Sequence, residues 1–238
     1  MDVLSEFPDD SIKLYIVNKG IEGILDLCRF TNLQNLYCGN NKITKLVNLP
    51  NTLIDLNCSC NLITELDNLP NTLIELYCYN NKIINLDNLP NKLEKLFCSQ
   101  NKIKNLDNLP NSLKKLYCGN NEITNLDNLP DSLEELYCIC NRITYLDILP
   151  NSLIYLNCSF NRISNLDNLP NTLEILDCRS NNLVELNNLP NFLVELHCIR
   201  NRITYLDKFP NSLIQLYCYR TEIDVDSLRN KYPYLIIE

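Results

Sequence analysis

The sequence lacks a basic surplus, a long apolar run and, for the most part, glycine. Lysine and arginine total 21 against 29 aspartate and glutamate, a net charge of −8, which excludes the basic footprint that a phosphate backbone needs. No apolar run approaches the ~18 residues of a spanning helix, and the start, Met-Asp-Val-Leu-Ser-Glu-Phe-Pro, has neither a basic opening nor an apolar stretch of the export type. The expectation is a chain that stays off membranes and is not secreted. Only four glycines are present, too few for the glycine-rich repetitive loops that bind calcium. Histidine occurs once, at His197.

What the sequence has is a period. The stretch Leu113 to Pro130, Leu-Lys-Lys-Leu-Tyr-Cys-Gly-Asn-Asn-Glu-Ile-Thr-Asn-Leu-Asp-Asn-Leu-Pro, recurs every 20 residues from Leu33 to about Ile223. A fixed period overrides length as a guide to domain count. Leucines equivalent to Leu33, Leu36, Leu46 and Leu49, a cysteine at Cys38 and an isoleucine at Ile43 recur every 20 residues, with Leu183 and Phe209 as apolar exceptions, while the residues between them vary. Constant apolar positions point inward. About six such side chains, each worth ~1.5–3 kcal/mol when buried, cannot offset the ~1.5 kcal/mol per residue of ordering, so no unit stands without its neighbours.

The alternation Leu36-x-Cys38 has period two and predicts a short strand whose residues 35, 37 and 39 face away from the core. Stacked units then make a parallel sheet of about 12 strands, terminal coils included. The return path carries a proline every turn, from Pro50 to Pro210, and is expected to be extended, polyproline-like or single-turn rather than helical. Residues 1–32 read as an N-terminal cap and a degenerate first repeat: Leu14, Ile16, Ile21, Ile24 and Leu27 follow the spacing of Leu36, Cys38, Ile43, Leu46 and Leu49 in a 22-residue unit, with Lys19 where Asn41 later stands. Residues 33–223 hold ten regular repeats. In 224–238, acidic residues, then Lys231 and Pro233, predict a short capped helix with Val225, Leu228 and Tyr232 on one face, and Leu235 and Ile237 predict a closing strand. The whole reads as one continuous solenoid.

The pattern Leu-x-x-Leu-x-Cys-x-x-Asn-x-Ile-x-x-Leu-x-x-Leu-Pro resembles the leucine-rich repeat, with the cysteine in the third apolar place of Leu-x-x-Leu-x-Leu. Its length and recurring Leu-Pro look like the short bacterial-effector type. The Asn-, Ile- and Lys-rich wording, as in Asn-Leu-Pro-Asn-Ser-Leu, is similar to leucine-rich repeat proteins of amoeba-infecting giant viruses. The resemblance implies a curved right-handed α/β-type repeat solenoid, strands on its concave face and little helix on its convex side, whose concave sheet commonly binds proteins. It carries over no catalytic residue.

Several columns invite a chemical reading. Thirteen cysteines would fit a disulfide framework in a small secreted protein, but ten of them, Cys38 to Cys218 at every twentieth position, occupy a core column. They read as reduced apolar side chains of a cytosolic protein, in a host cytoplasm if the source is viral. Cys58-Ser-Cys60 and Cys138-Ile-Cys140 lie four coils apart and cannot share a metal. The asparagines Asn41, Asn61, Asn81, Asn101, Asn121, Asn141, Asn161, Asn181 and Asn201 are expected to bind turn backbones. The aspartates Asp67, Asp87, Asp107, Asp127, Asp147, Asp167 and Asp207 read as Asx-turn caps rather than calcium ligands. No metal or other cofactor is expected. His197, with Asp177 and Tyr217 in its column, reads as a surface histidine paired with a carboxylate, not as an acid–base catalyst. The expectation is no enzyme. Lys42, Lys82, Lys102, Arg142, Arg162 and Arg202 form a basic edge of solvated charge or a rim that steers an acidic partner.

The outward column holds Tyr37, Asn57, Tyr77, Phe97, Tyr117, Tyr137, Asn157, Asp177, His197 and Tyr217, widened by Tyr79, Ile139, Tyr155, Ile175, Ile199 and Tyr219. Cross-strand stacking accounts for such aromatics without any ligand; an exposed apolar stripe accounts for them as a contact surface. Both remain open on sequence. The function expected is a protein-binding scaffold, monomeric or weakly self-associating, with a structural, self-assembling component as the alternative.

Overall fold

The computed structural model describes residues 3–146, 148–206 and 208–238. The chain forms two compact units, Met1–Glu122 and Ile123–Glu238. Each is a stack of parallel-strand solenoid coils.

The first unit opens with a turn of 3₁₀ helix, Val3–Glu6. Arg29 ties this cap down, donating to Asp9 Oδ1 at 2.7 Å and to the carbonyls of Leu4 and Phe7 at 3.3 and 3.0 Å. The strands of the unit are β1 Lys13–Tyr15, β2 Glu22–Asp26, β3 Asn35–Tyr37, β4 Lys42–Val47, β5 Asp55–Asn57, β6 Glu75–Tyr77, β7 Lys95–Phe97 and β8 Lys115–Tyr117. Strands β1, β3, β5, β6, β7 and β8 pair in parallel, with Leu14, Leu36, Leu56, Leu76, Leu96 and Leu116 in register. All six leucines are fully buried. The second unit repeats this with β9 Glu135–Tyr137, β10 Tyr155–Asn157, β11 Ile175–Asp177, β12 Glu195–His197 and β13 Gln215–Tyr217. Its closing elements are α1 Val225–Lys231 and β14 Ile236–Ile237, which pairs with β13.

Strands three residues long follow from the sequence. One leucine points inward and its two neighbours outward, and the chain then turns at a residue in the left-handed region, such as Asn40 (φ 54°), Asn80 (φ 54°) or Asn120 (φ 53°). Asparagine tolerates that region better than most residues. A second left-handed asparagine closes the return path at Asn48, Asn68, Asn88, Asn108, Asn128 and Asn188. Each proline then starts a tight turn, its carbonyl accepting from the amide three residues on, as in Leu53 to Pro50 at 3.1 Å.

The recurrent asparagine amides stitch coil to coil. Asn61 Nδ2 donates to the carbonyls of Cys38 and Cys58 at 3.0 Å each, and its Oδ1 accepts from Ile43 N at 3.0 Å. Asn161 and Asn181 make the same bonds in the second unit. A parallel hydroxyl column is not apparent in the leucine spacing: Thr52, Thr72, Ser112, Thr172 and Ser212 donate to a leucine carbonyl of the preceding coil at 2.7–2.9 Å.

One end departs from the periodic reading and the other follows it. The first return path is not merely extended: β2 and β4 pair as a small second sheet. In that pairing Gly23, at φ 78°, sits opposite Ile43, and the register shifts before Ile24. A shift of one residue exchanges the two faces of a strand. Leu25, not Ile24, therefore takes the core place; Leu25 is buried, whereas Ile24 is 64% exposed. At the other end Asp224 caps α1 by accepting from Ser227 N at 3.0 Å, and Leu228 is the buried residue of the helix. Among the described residues no helix is long and apolar enough to cross a membrane.

Candidate functional site

The sheet face away from the core carries the variable residues. Cross-strand spacing sets their rings one above another. In the first unit Tyr15 stacks on Tyr37 (centroids 4.7 Å apart), Tyr77 on Phe97 (4.6 Å) and Phe97 on Tyr117 (4.5 Å). In the second, Tyr137 stacks on Tyr155 at 4.4 Å and His197 on Tyr217 at 4.2 Å. Stacking leaves Tyr37, Tyr77, Phe97, Tyr117, Tyr137, Tyr155, His197 and Tyr217 half-buried, as are Ile139, Ile175 and Ile199, while Tyr79 and Tyr219 are exposed. Two members differ from the column arithmetic. Tyr15 adds a ring below Tyr37 although its repeat has a different length. Tyr155, at the position equivalent to residue 35, reaches across to Tyr137.

Polar groups border the rings. The Tyr37 hydroxyl donates to Asp55 Oδ2 at 2.5 Å, and the Tyr77 hydroxyl to Glu75 Oε2 at 2.8 Å. The Asp55 bond, with burial behind it, pushes the Tyr37 phenol up to about 12; burial and then Glu75 push Tyr77 up as well. Glu75 also pairs with Lys95 at 2.7 Å, and hydrogen bonds from Lys95 and Tyr77 outweigh the opposing, larger single effect of burial to leave its carboxyl below the ordinary value. In the second unit Asp177 is buried and takes Arg179 Nε and Nη2 at 2.9 and 2.6 Å and Asn157 Nδ2 at 3.1 Å. His197 bonds to Glu195, its neighbour on the strand, rather than to Asp177.

The remaining columns are structural in their contacts. Burial pushes the core thiols up, those of Cys58, Cys98 and Cys138 to about 12, which keeps them protonated and poorly nucleophilic. No disulfide links the cysteines among the described residues. In the aspartate column, Asp87, Asp127 and Asp167 accept from the side-chain amides of Asn85, Asn125 and Asn165 two residues earlier; Asp147 and Asp207 lie outside the described residues. Among those described, no group of three or more histidine, cysteine or acidic side chains is placed to hold a metal ion. On the basic edge Lys42 pairs with Glu22 at 2.6 Å with both side chains exposed, a contact that solvent screens.

Comparison with known proteins agrees with this architecture. A family model for leucine-rich repeats in two copies matches residues 91–131. No curated protein matches the chain in sequence. Among solved structures, YopM from Yersinia enterocolitica superposes with a TM-score of 0.85 at 36% identity, over 89% of this chain and 47% of YopM. The functional domain of InlJ from Listeria monocytogenes, described as including a cysteine ladder, gives 0.74 at 35% identity over 82% of this chain and 46% of that domain. The chain thus spans somewhat under half the length of either. A leucine-rich repeat protein of Leptospira interrogans, at 22% identity and a TM-score of 0.61 over 89% of this chain and 74% of its own, shares the fold. The chain is built from leucine-rich repeats and folds as the parallel-strand solenoid of bacterial leucine-rich repeat proteins.

Proposed function

We propose that the chain is a non-enzymatic scaffold whose outward, concave sheet face binds a protein partner. The observation that carries this is the ordered aromatic stack Tyr77–Phe97–Tyr117 on the sheet face turned from the core. Rings fixed by their neighbours lose little freedom when a partner covers them, and tyrosine and its aromatic relatives are the side chains most often found at binding hot spots. Leucine-rich repeat folds commonly serve as protein-interaction scaffolds, which supports the reading. The acidic balance of the chain favours a protein over a nucleic acid. Buried thiols favour a reducing, cytoplasmic setting, that of a host cell on the giant-virus likeness of the wording.

The test is capture of native-source lysate proteins on the immobilised chain, with Phe97→Ala/Tyr117→Ala in parallel. Proteins retained by the wild type and lost by the folded variant support the assignment; an unchanged set contradicts it. Self-assembly is a second reading, favoured by β1, which among the described residues pairs only with β3, and by the exposure of Tyr15 in it and Ile12 just before it at 57% and 56%. A defined homo-oligomer by solution mass, dispersed by Tyr15→Lys, would favour it.

A further inference from the structure

The ring column of the first unit is interrupted once. Between the Tyr15–Tyr37 pair and the Tyr77–Phe97–Tyr117 stack, β5 presents Asn57, in register with Tyr37 on one side and Tyr77 on the other. With strands ~4.8 Å apart, the two flanking rings are rooted on strands ~9–10 Å apart. That is room for one planar group in contact with both. Asn57 does not fill it, because its amide is held along its own strand: Oδ1 accepts from Ser59 N at 3.1 Å and Ser59 Oγ at 2.6 Å. Nor does the neighbouring coil cover it. Gly39 has no side chain, and a Cβ there would meet Asn57 Oδ1 at 3.4 Å.

The slot is bordered by carboxylates. Asp55 and Glu75 are register partners; Glu75 is neutralised by Lys95, whereas Asp55 is held only through Oδ2 by the Tyr37 hydroxyl. Asp55 Oδ1 is the one buried side-chain nitrogen or oxygen without a hydrogen-bond partner among the described residues. Enclosed carboxylate oxygens without a donor are costly, so this position favours a cationic donor. Lys13 Nζ, from β1, already lies 4.8 and 5.2 Å from the Tyr15 and Tyr37 ring centres, which shows that these rings attract a cation.

We propose that the slot between Tyr37 and Tyr77 receives the guanidinium of an arginine presented by the protein partner, stacked on both rings and donating to Asp55. Among natural side chains only arginine is planar, permanently charged and rich in donors at once. A neutral ring would stack but leave Asp55 unsatisfied, and a lysine ammonium would pair but not stack. The second unit contains the same solution made internally. There the rings break at Asn157 and Asp177, Asn157 bonds to Ser159 as Asn57 does to Ser59, and the chain's own Arg179 is the bidentate partner of Asp177. The first unit has the break, the Asn-x-Ser and the carboxylate, with Tyr79, Ser59 and Gly39 at the positions equivalent to Arg179. A net charge of −8 steers a basic partner toward such a site.

The inference rests on the outward face being the partner surface, and its test is independent of that partner. The full chain is titrated with acetyl-Gly-Arg-Gly-amide, followed by NMR at the Tyr37 and Tyr77 rings, with lysine and citrulline peptides alongside. Saturable shifts with arginine, about tenfold weaker binding with lysine or citrulline, and about tenfold weakening by Asp55→Asn are expected. Asn57→Tyr, which restores the missing ring at the cost of the two Asn57–Ser59 bonds, should abolish binding in a chain that melts close to wild type. No saturable shift with arginine, equal binding of citrulline or lysine, or undiminished binding by Asn57→Tyr or Asp55→Asn overturns the proposal. Each of those failures leaves the face assignment standing on Phe97→Ala/Tyr117→Ala capture alone.

Discussion

The two units break their aromatic columns at the same kind of residue and finish the break differently. At Asn57 a ring is missing between Tyr37 and Tyr77 beside an incompletely bonded Asp55; at Asn157–Asp177 the carboxylate is paired with Arg179 in bidentate fashion. The frame beneath is shared: stacked leucines, cysteines and asparagine amides fix every outward position to one strand spacing. The difference shows that the repeat does not dictate the face. A single residue two places beyond the column decides whether a slot is filled from within or left for another molecule.

The largest effects should ignore the comparison. Leu76→Ala and Leu176→Ala, both fully buried, should each cost ~2–5 kcal/mol by denaturant unfolding, and a loss below ~0.5 kcal/mol in either unit would break the claim of a common frame. Arg179→Ala should come next, at about 2 kcal/mol, because it leaves the buried Asp177 with neutral donors only; the partial exposure of Arg179 keeps the loss under that of a fully buried pair. Asn57→Ala, with no ion pair to break, should cost about 1 kcal/mol or less. Equal losses would mean that Arg179 is decorative.

A subtler distinction lies in the phenols. Tyr37 is pushed up to about 12 chiefly by its bond to Asp55, and Tyr155 to about 12 chiefly by burial. Asp55→Asn should therefore bring Tyr37 down toward the ordinary phenol value of about 10 and leave Tyr155 raised, as read by ultraviolet titration of tyrosinate. Both groups hold their proton more tightly folded than unfolded. The stability they lend is whole below about pH 10 and is lost as pH rises through about 12. The smallest net effect is expected from Asn57→Tyr, where ring stacking worth ~0.5–1.5 kcal/mol is offset by loss of the Asn57–Ser59 bonds, measured by thermal or denaturant melting.

Much of this was legible in the residues. The 20-residue period assigned Leu36, Cys38 and Ile43 to the core and Tyr37 and its equivalents to the opposite face, because a strict repeat with period-two alternation admits one register. The same arithmetic failed at Ile24 and Leu25, where a left-handed Gly23 and a shifted pairing exchange two faces that spacing alone cannot tell apart. It also could not place Tyr155 against Tyr137, since a long side chain crosses columns that sequence positions keep separate. Asn57 was visible as an interruption, but the enclosed oxygen of Asp55 depends on how Tyr37 and Asp55 turn toward each other, which no repeat pattern encodes.

The most direct measurement is a crystal structure of the chain with the acetyl-Gly-Arg-Gly-amide peptide bound. A guanidinium lying flat between the Tyr37 and Tyr77 rings within hydrogen-bond reach of Asp55 is expected, and nothing comparable beside Asp177. A peptide seated elsewhere, or a slot closed by the two tyrosines stacking on each other, would contradict it.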